Sequence, residues 1–177
     1  MTLKTYQKHI DKLYKNDMWW GGLTVELCGA VGKLCRTWTS VMKMPTNTEE
    51  CSFKDICDKL TVDIVVILSI LARLAHSADS SIDTLYKYAH HDRMGQSNTS
   101  DYILRMVSSA GSFLNVQLLK EHRDYKKIIE DNVILVLHDL INVVHSIDPM
   151  ITVELLAGRS IQMLSKNNKK KDKEHNV

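Results

Sequence analysis

Residues 60–77 read LTVDIVVILSILARLAHS, apolar almost throughout, with one acid, Asp63, near the start. Leu68, Leu71, Ala72 and Ala75 recur at helical spacing, and Ile64, Ile67 and Leu74 widen the same surface. A stripe that wide does not suit a surface helix, so a central helix covered on several sides is expected. A membrane span needs ~20 apolar residues. This run is shorter and is interrupted by Asp63, Ser69 and Arg73. A carboxylate in the most buried helix of a domain is costly unless it is paired or holds a metal. Asp63 is therefore the first residue to question about function.

Working outward, Thr2 or Thr5 caps a first helix that runs to about Asn16, with Leu3, Tyr6, Ile10 and Leu13 on one face. The phrase MWWGG at 18–22 is expected to break it. A second helix runs from Leu23 to Met42. Its glycines at 29 and 32 weaken it intrinsically, so a close packing contact is expected to require them. Residues 44–52 read as a loop, and Asp79 or Ser80 caps a short helix from Ile82 to Met94. The scheme then repeats, with helices from Ser100 to Glu121 and from Tyr125 to His145. Asp148-Pro149 reads as the cap and first position of a last helix ending near Leu164. The fold expected is all-α, a bundle of about seven helices. The charged tail, 165–177, is expected to be disordered.

The two halves look like diverged copies. A gapless overlay of 62–98 on 131–167 matches Leu68 with Leu137, Leu71 with Leu140 and His76 with His145. It also matches Ser77 with Ser146, Asp79 with Asp148 and Ile82 with Ile151. The upstream helices align with Gly32 on Gly111 and Leu23 on Tyr102. The expected organisation is one helical unit at 1–94 and a more diverged one at 95–164, sharing a core as two subunits of a dimer would.

Bulk properties narrow the function classes. The net charge of +2 gives no overall drive toward nucleic acid or a membrane surface. Pro and Gly are scarce, which argues against a sandwich or barrel. The four cysteines, Cys28, Cys35, Cys51 and Cys57, form no CxxC pair and read as reduced thiols of a cytoplasmic protein. The N-terminus lacks the apolar core of a secretion signal.

The phrases TLKTYQKHI, GGLTVELCGAVGKLC and KLTVDIVVILSILARLAHSADSSIDTLYKY, within residues 2–88, resemble the MazG-like all-α nucleoside triphosphate pyrophosphohydrolases. In that family one helix carries ExxE and the next carries ExxD. The four acids hold Mg²⁺, which activates water against the triphosphate. Acids three apart share a helix face, and hard oxygen ligands suit Mg²⁺. Here the pattern is half present. Glu26 matches the first acid of one pair, with Gly29 at the partner position. Asp63 matches the last acid of the other, with Leu60 at the partner position. The second copy has Arg105, Ser108, Ile129 and Asn132 there.

The resemblance implies tandem MazG-like repeats packed as a pseudo-dimer, with Glu26 and Asp63 facing one another across a pocket as metal ligands for Mg²⁺. It implies Lys87 and Arg93 as phosphate contacts. Trp19 and Trp20 stack on a base or else wedge the first helix onto the bundle. The missing acids make a degenerate protein, acting by nucleotide binding or through a protein partner, the first expectation. An active Mg²⁺-dependent enzyme releasing pyrophosphate, completed by other acids, is the second. A helical interaction module with no nucleotide role is the third. A homo-oligomer fits any of them. Small divergent copies of the family occur in bacteriophages.

Overall fold

A computed structural model describes residues 1–14, 20–43, 53–91, 98–118 and 124–174, with side chains at 1–14, 20–43, 58–90, 98–114 and 124–163. Among the described residues there are seven helices and no strand: α1 (Leu3–Leu13), α2 (Trp20–Met42), α3 (Phe53–Ser77), α4 (Ile82–His91), α5 (Thr99–Leu118), α6 (Tyr125–Ile147) and α7 (Val153–Glu174). The all-α bundle expected from the sequence is what forms.

Helix α3 is the centre. Leu60, Ile67, Leu68, Leu71 and Leu74 are each 1% exposed or less, and α3 packs against α1, α2, α4, α6 and α7. The stretch Asp58–Ser77 is long and apolar enough to cross a membrane, but 72% of its most apolar window is buried inside the bundle, as befits a core helix. Thr2 caps α1 by accepting from the Thr5 N–H, and Leu3, Tyr6, Gln7 and Ile10 are its buried face. Tyr6 reaches Ser160 of α7, with 3.1 Å between the hydroxyls, so α1 is fastened across the bundle by a satisfied polar contact inside the core.

The helix contacts have a two-fold character. Exchange α2 with α5, α3 with α6 and α4 with α7. The pairing α2·α3 becomes α5·α6, and α4·α6 becomes α7·α3, while α2·α5 and α3·α6 map onto themselves; all of these contacts are present. Helices α4 and α7 each pack most closely on the long core helix of the other half, not on that of their own. Burial follows the same exchange. The buried positions of α5 (Tyr102, Ile103, Met106, Ala110 and Phe113) fall on the buried Leu23, Thr24, Leu27, Val31 and Leu34 of α2. All eight buried positions of α6 fall on buried positions of α3 at the offset that puts Leu137 on Leu68. Even the helix ends agree: the Ser77 hydroxyl donates to the Leu74 carbonyl at 2.7 Å, and the Ser146 hydroxyl to the Val143 carbonyl at 2.9 Å.

Several expectations are corrected. The gapless overlay fails after the core helices, because α7 starts at Val153. Val153 and Leu156, not Ile151 and Glu154, take the buried places of Ile82 and Leu85. The reason lies at the two exits. Asp79 adopts a left-handed conformation (φ 52°), the Ser80 N–H bonds the Ala75 carbonyl at 2.8 Å and the Asp79 N–H bonds that of His76 at 2.9 Å, a Schellman closure that turns the chain at once. Asp148 is instead extended (φ −149°), and its carboxylate accepts from the Met150 N–H at 2.9 Å. Asp148 thus ends α6 and does not cap α7. Thr152 does that, accepting from the Leu155 N–H at 3.3 Å.

Gly21 and Gly22 lie inside the first turn of α2 and do not interrupt it. A Cβ at Gly29 or Gly32 would meet nothing within 4 Å, so no packing contact requires either glycine. Helix α7 continues to Glu174, through most of the segment expected as a disordered tail; its lysines are good helix formers.

Candidate functional site

The two acids at the motif positions do not meet. Helices α2 and α3 pack side by side, and each acid finds a different basic partner along that seam. Asp63 is 3% exposed. One of its oxygens lies 3.0 Å from Lys33 Nζ, and the other accepts from the Thr37 hydroxyl at 2.6 Å. Lys33 and Thr37 are one turn apart on α2, so a single face of that helix satisfies the whole carboxylate. Glu26 is half exposed and accepts from Arg73 at 2.9 Å. The Arg73 guanidinium also lies 4.4 Å from the centre of the Tyr14 ring, a cation–π contact that joins α3 to the end of α1. Arg73 follows Asp63 along α3 by roughly 15 Å at the helical rise. The expected pocket with Glu26 facing Asp63 is therefore absent. The two acids sit on neighbouring helices, and the basic residues Lys33 and Arg73 hold them one by one.

This donor set does not fit Mg²⁺. Both oxygens of Asp63 are taken, Glu26 is bound to a guanidinium, and the two acids share no space. Among the described residues no group of three or more His, Cys, Asp or Glu is placed to hold a metal ion. Among other acids near Asp63 that could complete a site, Asp58 is exposed on α3. Glu49, Glu50 and Asp55 lie outside the described side chains.

The other sequence candidates are dispersed. Lys87 is exposed and pairs with Asp83 one turn away at 2.8 Å, a surface ion pair of small energetic weight. Trp20 packs, partly buried, against the core at the start of α2. Trp19 and Arg93 lie outside the described residues. Cys28 is a free thiol whose Sγ donates to the Ala110 carbonyl at 3.3 Å, linking α2 to α5. Burial pushes that thiol above its ordinary pKa, which disfavours the reactive thiolate.

A cavity opens away from Glu26 and Asp63, where α4 of the first half meets the second half. It has a volume of about 340 Å³ and lies between α4, α5 and α6. Helix α4 contributes Tyr88 and Ala89, and α5 contributes Arg105, Ser108 and Ser109. Helix α6 contributes Ile134, Leu135, His138 and Asp139. Asp139 is 5% exposed, and its carboxylate lies 3.4 Å from His138 Nδ1. His138 Nε2 lies 3.4 Å from the Asn142 amide nitrogen, so the ring is held between a carboxylate and an amide. Burial pushes the Asp139 carboxyl above its ordinary value of 3.8, against the smaller pull of His138 and then Arg105. A concave, largely apolar space with a few convergent polar groups and one perturbed acid is the usual form of a small-molecule site.

The same signal that singled out Asp63, one acid inside an apolar run, is present at Asp139 in NVILVLHDLINVV. Arg105 and Ser108 stood out only as the second copy's replacements for missing acids. Ser109 and Tyr88 carry no sequence signal, because what matters is the gap left between three helices. Comparison with protein-family models, with curated proteins and with solved structures finds no match for this chain.

Proposed function

We propose that this chain is a catalytically degenerate relative of the MazG-like pyrophosphohydrolases that acts by binding, of a nucleotide or of a protein partner, and not by turnover. One observation carries the reading: each acid at a family metal position is neutralised by its own basic residue, Asp63 by Lys33 and Glu26 by Arg73. In that chemistry two carboxylate pairs must present oxygens to one hydrated cation. Here loading a cation would first break two ion pairs, one of them around a buried carboxylate, with no step in return. The kinship rests on helix order and phrasing in residues 2–88. The two-fold contact pattern supports the fused pseudo-dimer that goes with it. A cytoplasmic location fits the free thiols Cys28 and Cys35.

The test is pyrophosphate release from a panel of deoxynucleoside triphosphates with Mg²⁺, alongside thermal melting with each nucleotide. No release, with a raised melting temperature for one nucleotide, is expected. Steady release abolished by Asp63→Ala would overturn the reading in favour of an active enzyme. No release and no thermal shift would point to the protein partner. Exposed apolar side chains favour that branch: Leu104 and Val107 of α5 and Leu135 of α6 are 62%, 41% and 53% exposed.

A further inference from the structure

The two halves use the same burial pattern, so a position where they differ in chemistry without differing in burial is informative. Ile70 of α3 is 3% exposed, and its counterpart in α6 is Asp139, 5% exposed. The fold is content with an isoleucine there. A buried carboxylate in its place is unfavourable for the bundle. Beside Asp139 the packing leaves the α4–α5–α6 cavity, whose volume of about 340 Å³ is at the small end of ligand sites. The α5 residue equivalent to Glu26 is Arg105, which also lines this cavity with Ser108 and Ser109. The remaining wall is apolar, from Ala89 and Ile134 to Leu135, which is half exposed at the mouth.

From this geometry we infer that the cavity binds a small zwitterion with an apolar body, the chemistry of a free amino acid bearing an aromatic or aliphatic side chain. Asp139 accepts from the protonated amine, and a charge-assisted bond to a buried carboxylate is the strong kind. His138, held by Asn142, keeps its Nδ1 toward Asp139 and fixes the orientation of the carboxylate. Arg105 carries five donors, of which a fork can meet a carboxylate side-on, with the two serine hydroxyls beside it. The apolar body lies against Ala89, Ile134 and Leu135. A purely cationic ligand would meet Arg105, and a purely anionic one would meet Asp139, whereas a molecule with both charges is complementary to both ends. The inference needs the cavity alone and stands whether or not the chain is kin to the pyrophosphohydrolases.

Calorimetry on the full chain near neutral pH tests it with three probes that share one ring: L-phenylalanine, 2-phenylethylamine, which lacks the carboxylate, and 3-phenylpropionate, which lacks the amine. L-Phenylalanine is expected to bind, and each of the other two to bind at least about tenfold more weakly, the usual weight of one lost charge-assisted bond. Asp139→Ile, which installs the residue the first half carries, is expected to weaken L-phenylalanine by about tenfold or more and to leave 3-phenylpropionate unweakened. Arg105→Gln is expected to do the reverse, sparing 2-phenylethylamine. Should Asp139→Ile fail to give a cooperative melt, Asp139→Asn serves, with the same expectation. Absence of binding by all three probes overturns the inference. So does equal binding of all three, or indifference of L-phenylalanine to both substitutions.

Discussion

At Asp63 the direction of the energy is set by which partner is buried. The carboxylate is 3% exposed, whereas Lys33 is 60% exposed. Removing the lysine leaves a buried charge with only Thr37, while removing the acid frees a lysine that water solvates at little cost. Lys33→Ala is therefore expected to destabilise the bundle by about 1–3 kcal/mol, the cost of an under-satisfied buried acceptor. Asp63→Leu is expected to be near neutral or stabilising, as when buried ion pairs are replaced by apolar residues of similar volume. Urea midpoints of the two variants decide it, and a larger loss in Asp63→Leu would contradict the account. A metal ligand would show another signature, a Mg²⁺-dependent midpoint in the wild type alone.

Asp139 gives the opposite pH dependence from a paired surface acid. The groups facing it are His138 on its own helix, Arg105 from α5 and Tyr88 from α4, and desolvation outweighs the pull of the two basic groups. Its folded pKa lies above the ordinary 3.8 of the unfolded chain. The unfolded state therefore releases its proton first, and stability is lost as pH rises from about 4 through the folded value, with no further change from this group above it. Asp139→Asn removes that loss. The stability of the variant minus that of the wild type is expected to be larger near pH 7 than near pH 3. A constant difference across that range would mean that the charged form is fully compensated in the fold.

At the scale of elements, the exit from α3 is a joint held from several sides. Gln7 of α1 holds it from outside: its amide donates to the Ser80 carbonyl at 3.1 Å, and its carbonyl accepts from the Ile82 N–H at 2.8 Å. The Ser80 hydroxyl donates to Glu130 of α6. The cap of α4 is thus supplied by a glutamine far away in sequence, and neither Asp79 nor Ser80 acts as the expected N-cap. Asp79 is the left-handed residue of the turn, a conformation that costs an L residue roughly 1–2 kcal/mol. Asp79→Gly is expected to raise stability by about 0.5–1 kcal/mol, since glycine removes that strain at some cost in chain entropy. Asp79→Val is expected to lower it, and thermal melting orders the three. If glycine lowers the melting temperature, the Asp79 side chain holds the turn in a way its backbone conformation does not reveal.

This joint also shows where sequence reading succeeds and where it stops. Helical periodicity is a local property, so the central helix, the helix order and the Thr2 cap were legible from residue types alone. The matching burial of the two halves was foreshadowed too, because the sequence overlay pairs apolar core positions such as Leu68 with Leu137 and Leu71 with Leu140. What Gln7 does, and which basic residue takes Asp63, depends on helices brought together by folding. The spacing of acids within a helix says which face they share, not what lies opposite. The cavity beside Asp139 was hidden for the same reason, though the lone acid in its apolar run was in plain view.

At the scale of the whole molecule, the two halves are interleaved and not merely adjacent. Helix α4 packs on α6, α7 packs on α3, and α2 and α3 pack on α5 and α6. Each half alone would expose to water the apolar faces of its core helix that the other half covers. A chain cut between residues 94 and 95 is therefore expected to give two fragments that show no cooperative melt separately. Mixed, they should recover the helical circular dichroism and a cooperative transition. The transition should lie below that of the intact chain and rise with concentration, because the covalent link supplies an effective concentration of about millimolar between the halves. Each half then stands to the other as one subunit of a dimer stands to its mate, the arrangement a duplication fused in one chain would leave. A cooperative melt of fragment 1–94 by itself would break the argument: its core would then be covered by α1, α2 and α4 alone, and the matching burial in the two halves would follow from amphipathic helices of equal period, not from a shared origin.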